Sequence, residues 1–252
     1  MRKSKIEWTE KTWNPSAGCT KVSSGCKNCY AETMAKRLRG NGVVGYENGF
    51  EFSTVPSRLN VPLKRKKPTV FFVNSMSDAF HEDMPEEYLD RIFEVIEQTP
   101  QHTYQILTKR ADRMFDYFSK RPVPSNVWLG VTVENKQQGL PRIDKLRHLK
   151  ASVLFLSVEP LLEDLGEINL KNIDWVIVGG ESGHKGRPME KEWVVNIKQQ
   201  CQTEGIAFFF KQWGTWGEDR IKRSKKLNGK ELDGKVWQQY PEIIEQQFEV
   251  IL

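Results

Sequence analysis

The sequence predicts an α/β fold, a full or partial (β/α) barrel of about six to seven parallel strands. Three observations predict it. Short β-branched or aromatic runs alternate with longer amphipathic stretches, the signature of βα units in a mainly parallel sheet. Several of these runs are apolar throughout, as expected of strands covered on both faces. Each run then ends in polar or glycine residues, which in parallel α/β folds share one face where ligands bind. The 252 residues, 38% hydrophobic and 28% charged, are of ordinary globular composition and suit a domain of that kind.

Taken in chain order, a first strand is expected around Trp13, weakened by Pro15 and few apolar residues. A cysteine-bearing loop follows and opens a helix over Ala31–Arg39. The clear strands are Thr69–Val73, Thr103–Leu107, Val127–Val133, Val153–Val158, Trp175–Val178 and Ile206–Phe210. Helical patterns over Pro85–Gln98, Ala111–Ser119, Lys136–Leu149 and Glu190–Thr203 lie between them. Pro85 suits a first helical turn, and Glu86 and Glu87 complement the positive end of its dipole. The strand ends read Asn74-Ser75-Met76-Ser77-Asp78, Thr108-Lys109-Arg110, Glu134-Asn135, Glu159-Pro160, Gly179-Gly180-Glu181-Ser182-Gly183 and Lys211-Gln212-Trp213-Gly214. Six such ends in succession predict a site at the C-terminal mouth, with the cysteine loop beside it. Residues 1–217 are read as the barrel domain and 218–252 as a basic segment and C-terminal extension, with weak strand character at Val236–Tyr240 and an amphipathic pattern in Glu242–Leu252.

The net charge, 38 − 33 = +5, permits an anionic partner without demanding one. The runs Lys64–Lys67 and Arg220–Lys226 read first as solvated loops. No apolar stretch is long enough to span a bilayer and no basic-then-apolar leader is present, so the expectation is a cytoplasmic protein without a membrane partner. Disulfides are rare in that compartment, and clustered cysteines there suggest metal binding or catalysis. Cys201 stands alone on a helix and reads as a small buried hydrophobe.

The other three cysteines, Cys19, Cys26 and Cys29, have the spacing C-x6-C-x2-C. Cys26 and Cys29 have the bite of a metal knuckle, and Ser23-Ser24-Gly25 lets Cys19 fold back as a third ligand. A thiolate near a helix N-terminus is stabilised by the dipole. Structural zinc needs a fourth protein ligand, and His81, His102, His148 and His184 lack the regular spacing of a zinc finger. A four-iron cluster on three cysteines leaves one iron open to a small molecule. The iron–sulfur reading fits the polar strand ends better; zinc and unligated cysteines stay open as alternatives.

The cysteine loop on a βα-repeating chain resembles the radical S-adenosylmethionine superfamily, whose fold is a full or partial β/α barrel. The whole chain resembles a phage- and bacteria-associated domain-of-unknown-function family placed near that superfamily, through Trp13-Asn14-Pro15, Cys19–Tyr30, Leu107–Arg110, Gly130–Asn135, Ser157–Pro160, Val178–Gly183 and Phe209–Gly214. The superfamily's commonest spacing is C-x3-C-x2-C; here the first gap is six, and Asn28 stands where an aromatic usually precedes the last cysteine.

The resemblance implies that Cys19, Cys26 and Cys29 hold a [4Fe–4S] cluster whose fourth iron chelates S-adenosylmethionine. Reductive cleavage, fed by an electron donor, would give a 5′-deoxyadenosyl radical that abstracts hydrogen from a substrate. Asn74, Ser75 and Asp78 would meet the methionine amino group, Glu134 and Asn135 a carboxylate or ribose, and Gly179, Gly180 and Glu181 the adenine. Lys109 and Arg110 would take a carboxylate or substrate phosphate. Lys109, Glu159 and Lys211 are the candidate catalytic side chains. Trp213 and Trp216, beside the second basic run, suggest base stacking and hence a nucleic acid or nucleotide substrate, against the plainer reading of Trp213 as a barrel plug. The competing functional classes are a zinc-stabilised nucleic-acid-binding protein without radical chemistry and a redox or interaction protein whose cluster only senses or organises the fold.

Overall fold

A run with no polar face has to lie between two covering layers, and the strands do so in the computed structural model, which describes Ser4 and residues 6–242. Seven strands, β1 (Lys11–Trp13), β2 (Thr69–Val73), β3 (His102–Thr108), β4 (Val127–Thr132), β5 (Val153–Val158), β6 (Trp175–Gly179) and β7 (Ala207–Gln212), form one sheet. Neighbours follow chain order from β1 to β7, with parallel pairing. Strands that always add on the same side belong to a barrel-type winding; a doubly wound sheet reverses its order at a switch point. β1 and β7 stand at the ends of the order, so the fold class is a partial β/α barrel, as expected. β2, β4, β5 and β6 are buried at every residue. The chain divides into two compact units, Met1–Gly130 with His148–Ser152, and Val131–Arg147 with Val153–Leu252.

In the first unit the register aligns Trp13 with Val73 and Val73 with Ile106, so Asn14 and Asn74 leave the sheet at one level. Between β1 and β2 come α1 (Tyr30–Gly40) and a short antiparallel ribbon of Ser16–Ala17 with Ser53–Thr54. Ala17, Ala35, Tyr46 and Val55 make a small core there. Helix α2 (Glu86–Glu97) buries Tyr88, Leu89, Ile92, Phe93, Val95 and Ile96, and α3 (Ala111–Phe118) buries Met114, Tyr117 and Phe118. Each of those apolar side chains contributes about 1.5–3 kcal/mol of burial, and Phe93 meets both Tyr117 and Phe118 at 5.2 Å between ring centroids.

In the second unit Val158 aligns with Val178 and Val178 with Phe210; a register shift after Val178 then pairs Gly179 with Gln212. Asn135 caps α4 (Lys136–Leu146) by accepting from Gln138 N–H at 2.9 Å. Helix α5 (Lys191–Thr203) buries Cys201 completely, the small-hydrophobe role expected of it. The weak strand expected at Val236–Tyr240 is a two-residue strand, Lys235–Val236, paired with Glu231–Leu232, followed by a segment along the outer edge of β7. There Phe210 N–H donates to Trp237 O at 2.7 Å and Gln239 N–H to Phe208 O at 3.1 Å. An edge strand's open hydrogen-bonding groups are thereby covered. The amphipathic pattern expected over Glu242–Leu252 lies outside the described residues from 243 onward. Among the described residues no helix is long and apolar enough to cross a membrane. The second basic run is partly tied down: Arg223 bridges Asp219, Arg220 bridges Glu190, and Lys222 Nζ donates to His184 O.

Candidate metal centre

The cysteine loop is fixed by contacts with the residues that follow β1 and β2. Gly18 has φ +74°, and a Cβ there would lie 2.0 Å from Glu51 O, so only glycine turns the chain so close to that backbone. The next residue, Cys19, donates its N–H to Phe50 O at 3.0 Å. Ser77 Oγ donates to Gly18 O at 2.7 Å and Ser16 Oγ to Ser77 Oγ at 3.0 Å. Asn14 Oδ1 accepts from Ser75 Oγ and Met76 N–H, both at 3.2 Å, and Tyr30 OH donates to Ser75 O. Cys26 closes a turn of 3-10 helix, and Cys29 stands at the N-cap of α1.

All three cysteines are free thiols of intermediate exposure. Cys26 lies within electrostatic reach of Cys19, and Cys26 and Cys29 both lie within reach of Lys21. Among the described residues no three His, Cys, Asp or Glu side chains already converge as a metal-binding group. The loop therefore gathers three sulfurs without closing them on a common centre. Burial, with the charge of Asp78 second, pushes the Cys19 thiol up to about 11, and Arg110 opposes both.

Asp78, expected to meet the cofactor, is engaged on both oxygens. Oδ1 accepts from Thr108 Oγ1 at 2.7 Å and Phe80 N–H at 2.9 Å; Oδ2 accepts from Lys109 N–H at 3.2 Å and Arg110 Nη1 at 3.1 Å. Lys109 thus joins the group through its backbone. Arg110 also donates to Glu82 Oε2 at 2.9 Å, Thr20 Oγ1 at 2.6 Å and Cys19 Sγ at 3.6 Å. Hydrogen bonds from Arg110 and Thr20 pull the Glu82 carboxyl down to about 2. His81 is fully buried and stacks on Phe52 at 4.3 Å; its Nδ1 accepts from Asp83 N–H at 3.1 Å, and its Nε2 lies 3.1 Å from Thr20 Oγ1, which can accept its proton. Burial, then Arg110, lowers its pKa, so the ring is a neutral support for the turn and holds neither nitrogen free for a metal. Asn74 sits at φ 56° with its N–H on Trp13 O at 2.8 Å and Oδ1 accepting from Ser16 N–H at 3.4 Å. Its Nδ2 is buried without a partner among the described residues.

The second unit holds four more of the expected side chains, Glu159, Lys211, Glu134 and Glu181, in three separate pairings. Lys211 Nζ donates to both oxygens of Glu159, at 2.9 and 2.7 Å, and Gln212 Nε2 bridges Glu159 Oε1 at 3.2 Å and Ser182 Oγ at 3.0 Å. Glu134 is fully buried; Oε2 accepts from Arg142 Nη1 at 2.7 Å, and Oε1 has no partner among the described residues. Glu181 accepts from the backbone N–H, Nε and Nη2 of Arg187 at 2.9, 2.8 and 2.7 Å. Asn135, as noted, spends its side chain on the cap of α4. At Gly180 a Cβ would stand 1.9 Å from Trp213 O, and at Gly179 it would press on the Glu159 side chain at 3.3 Å. Trp213 is 2% exposed and donates Nε1–H to Glu231 O at 2.8 Å, so its indole is buried rather than presented for stacking.

A family model described as "Protein of unknown function (DUF5131)" matches residues 3–241. The chain belongs to this family. The DUF5131 match takes in the cysteine loop, every strand end named above and the edge segment beyond β7. No curated protein matches. Two solved structures of spore photoproduct lyase are similar to the chain. One, a mutant with bound AdoMet and dinucleoside spore photoproduct, is 14% identical with TM-score 0.44, over 77% of this chain and 61% of that one. The other, complexed with dinucleoside spore photoproduct, is 15% identical with TM-score 0.46, over 79% and 62%. The chain spans about three fifths of the length of these two proteins.

Within this DUF5131 chain, partners not among the expected site residues hold them in place: Thr20, Ser77 and Glu82 in the first unit, and Arg142 and Arg187 in the second. Thr20 reaches partners 61 and 90 positions away, a separation no local pattern signals. Arg187 and Arg142, by contrast, lie six and eight residues beyond Glu181 and Glu134. A basic residue soon after a buried acid was the available sign.

Proposed function

We propose that the protein is a radical S-adenosylmethionine enzyme in which Cys19, Cys26 and Cys29 hold a [4Fe–4S] cluster. The observation that carries this reading is the anchored loop: three free, half-buried thiols on one short segment, Cys26 within electrostatic reach of Cys19 and both Cys26 and Cys29 within reach of Lys21, with the nearby histidine, His81, engaged at both nitrogens. The donor set fits the group. Three soft sulfur ligands without a fourth suit a cluster with one open iron, whereas structural zinc is closed by four protein ligands. Cys29 at the N-cap of α1 adds a dipole favourable to thiolate charge.

When bound, the reduced cluster would supply the electron that splits S-adenosylmethionine to a 5′-deoxyadenosyl radical for hydrogen abstraction. The chain's own residues then position and protect. Asn74, which the resemblance puts at the methionine amino group, has a buried Nδ2 donor with no partner among the described residues, and that donor suits an acceptor such as the adjoining methionine carboxylate. In the second unit Glu134 Oε1, a buried acceptor with no partner among the described residues, suits a hydroxyl donor such as that of a ribose. Glu159 and Lys211 form a pair able to hold or pass a proton at the substrate, with Lys109 a further candidate. The substrate is proposed to be a nucleic acid or nucleotide, the electron donor an unidentified reductant, and the compartment the reducing cytoplasm. Asp78 and Ser75 are proposed to shape the loop that meets the cofactor in the first unit, and Asn135 and Glu181 to shape the strand-end loops of the second.

Anaerobic purification followed by iron and sulfide analysis tests the reading, and 5′-deoxyadenosine after addition of dithionite and S-adenosylmethionine extends it to chemistry. A colourless protein carrying zinc would favour the nucleic-acid-binding alternative.

A further inference from the structure

We infer that Arg110 is a positioning residue for the metal centre, holding one N–H on the Cys19 sulfur and so tuning the charge that this ligand presents. The inference rests on the iron–sulfur reading of the loop. A guanidinium has five N–H donors in a rigid fork. In Arg110, Nε meets Glu82 Oε2 at 2.9 Å and Nη1 meets Asp78 Oδ2 at 3.1 Å; Nη2 meets Thr20 Oγ1 at 2.6 Å and Thr20 O at 3.4 Å. Four oxygens therefore satisfy four donors, and the fifth is directed at Cys19 Sγ, 3.6 Å from Nη1.

The orientation does not depend on the sulfur. Asp78 is itself fixed by Thr108, Phe80 and Lys109, Glu82 by Thr20, and the guanidinium side chain is only 9% exposed. A charge-assisted N–H···S bond withdraws electron density from a thiolate ligand and favours the reduced state of the metal it binds. Cys26 Sγ meets a neutral hydroxyl, that of Ser23 at 3.7 Å, whereas Cys19 Sγ meets a guanidinium N–H, which makes Cys19 electronically distinct from Cys26. With its five donors engaged, Arg110 is not a receptor for a substrate phosphate, the second role the sequence suggested for it.

The test is the midpoint potential of the reconstituted full-length protein, followed by electron paramagnetic resonance, with iron release to a chelator as a second readout. Arg110→Gln and Arg110→Lys are expected to move the potential to more negative values. They are also expected to speed iron release about 10–100-fold, the usual cost of losing an outer-shell partner. Glu82→Gln, at a largely exposed carboxylate, is expected to shift the potential in the same direction by less; if Arg110→Gln does not fold, Arg110→Lys and Glu82→Gln carry the test. Potentials and release rates equal to wild type in a cluster-bearing protein would overturn this inference and leave the iron–sulfur reading standing. Failure of the wild type to take up any cluster would overturn both.

Discussion

Lys211 Nζ lies 2.9 and 2.7 Å from the two carboxylate oxygens of Glu159, joining the C-terminal ends of β5 and β7. The parallel register produces the pair: Val158, Val178 and Phe210 share one row, so the residues that follow them emerge side by side. The two side chains are 20% and 18% exposed, enough to meet a ligand and buried enough to matter for stability.

Lys211→Met removes both bonds and leaves Glu159 with Gln212 alone. The expected loss is about 2 kcal/mol, the scale of hydrogen bonds to charged groups, read from urea unfolding. If the pair moves a proton at the substrate, the variant also loses turnover while still cleaving S-adenosylmethionine.

Gly180→Ala places a methyl 1.9 Å from the Trp213 carbonyl, which belongs to the backbone and cannot swing aside. Destabilisation of about 3 kcal/mol is expected, at the upper end of ordinary overpacking. Gly40→Ala is the control: it meets nothing within 4 Å at the end of α1 and is expected to be neutral or slightly stabilising.

Acid sensitivity follows from Glu82. Its carboxyl is held at about 2 in the folded protein, below its ordinary 4.5, by Arg110 and then Thr20. A folded-state pKa that is depressed gives stability present above the unfolded value and lost as pH falls through the folded one. Stability therefore declines between roughly pH 4.5 and 2, and Glu82→Gln is expected to flatten that part of the curve in thermal unfolding across pH. The carboxylate is 55% exposed, so the effect is smaller than a buried pair of the same geometry would give.

Cys26→Ala is expected to abolish cluster uptake while the circular dichroism and unfolding midpoint stay close to wild type, because the strands carry their own apolar burial. Global unfolding on this change would indicate a metal on which the fold depends.

What could be read from the residues was whatever repeats locally. The apolar run Thr69–Val73 is a strand at the expected bounds, and the helix over Glu86–Glu97 follows from Pro85, its acidic first turn and the spacing of Leu89, Ile92, Phe93 and Ile96. The strand at Lys11–Trp13 is weakly marked in the residues, with few apolar side chains and Pro15 close behind it; pairing with β2 supplies what its composition lacks. At the site, residue type was legible but pairing was not. Asp78 and Glu181 were visible as strand-end acids. That their oxygens are filled by Thr108, Phe80, Lys109 and Arg110 in one case and Arg187 in the other depends on loop geometry. The contact of Arg110 with Cys19 crosses 91 positions of chain.

The most direct measurement of the central claim is the metal and sulfide content of the full-length protein purified and reconstituted without oxygen. About four iron and four sulfide per chain, with absorption near 400 nm lost in Cys19→Ala, Cys26→Ala and Cys29→Ala, is the expected result. Stoichiometric zinc, or no metal retained by wild type under conditions where its fold is intact, would contradict it.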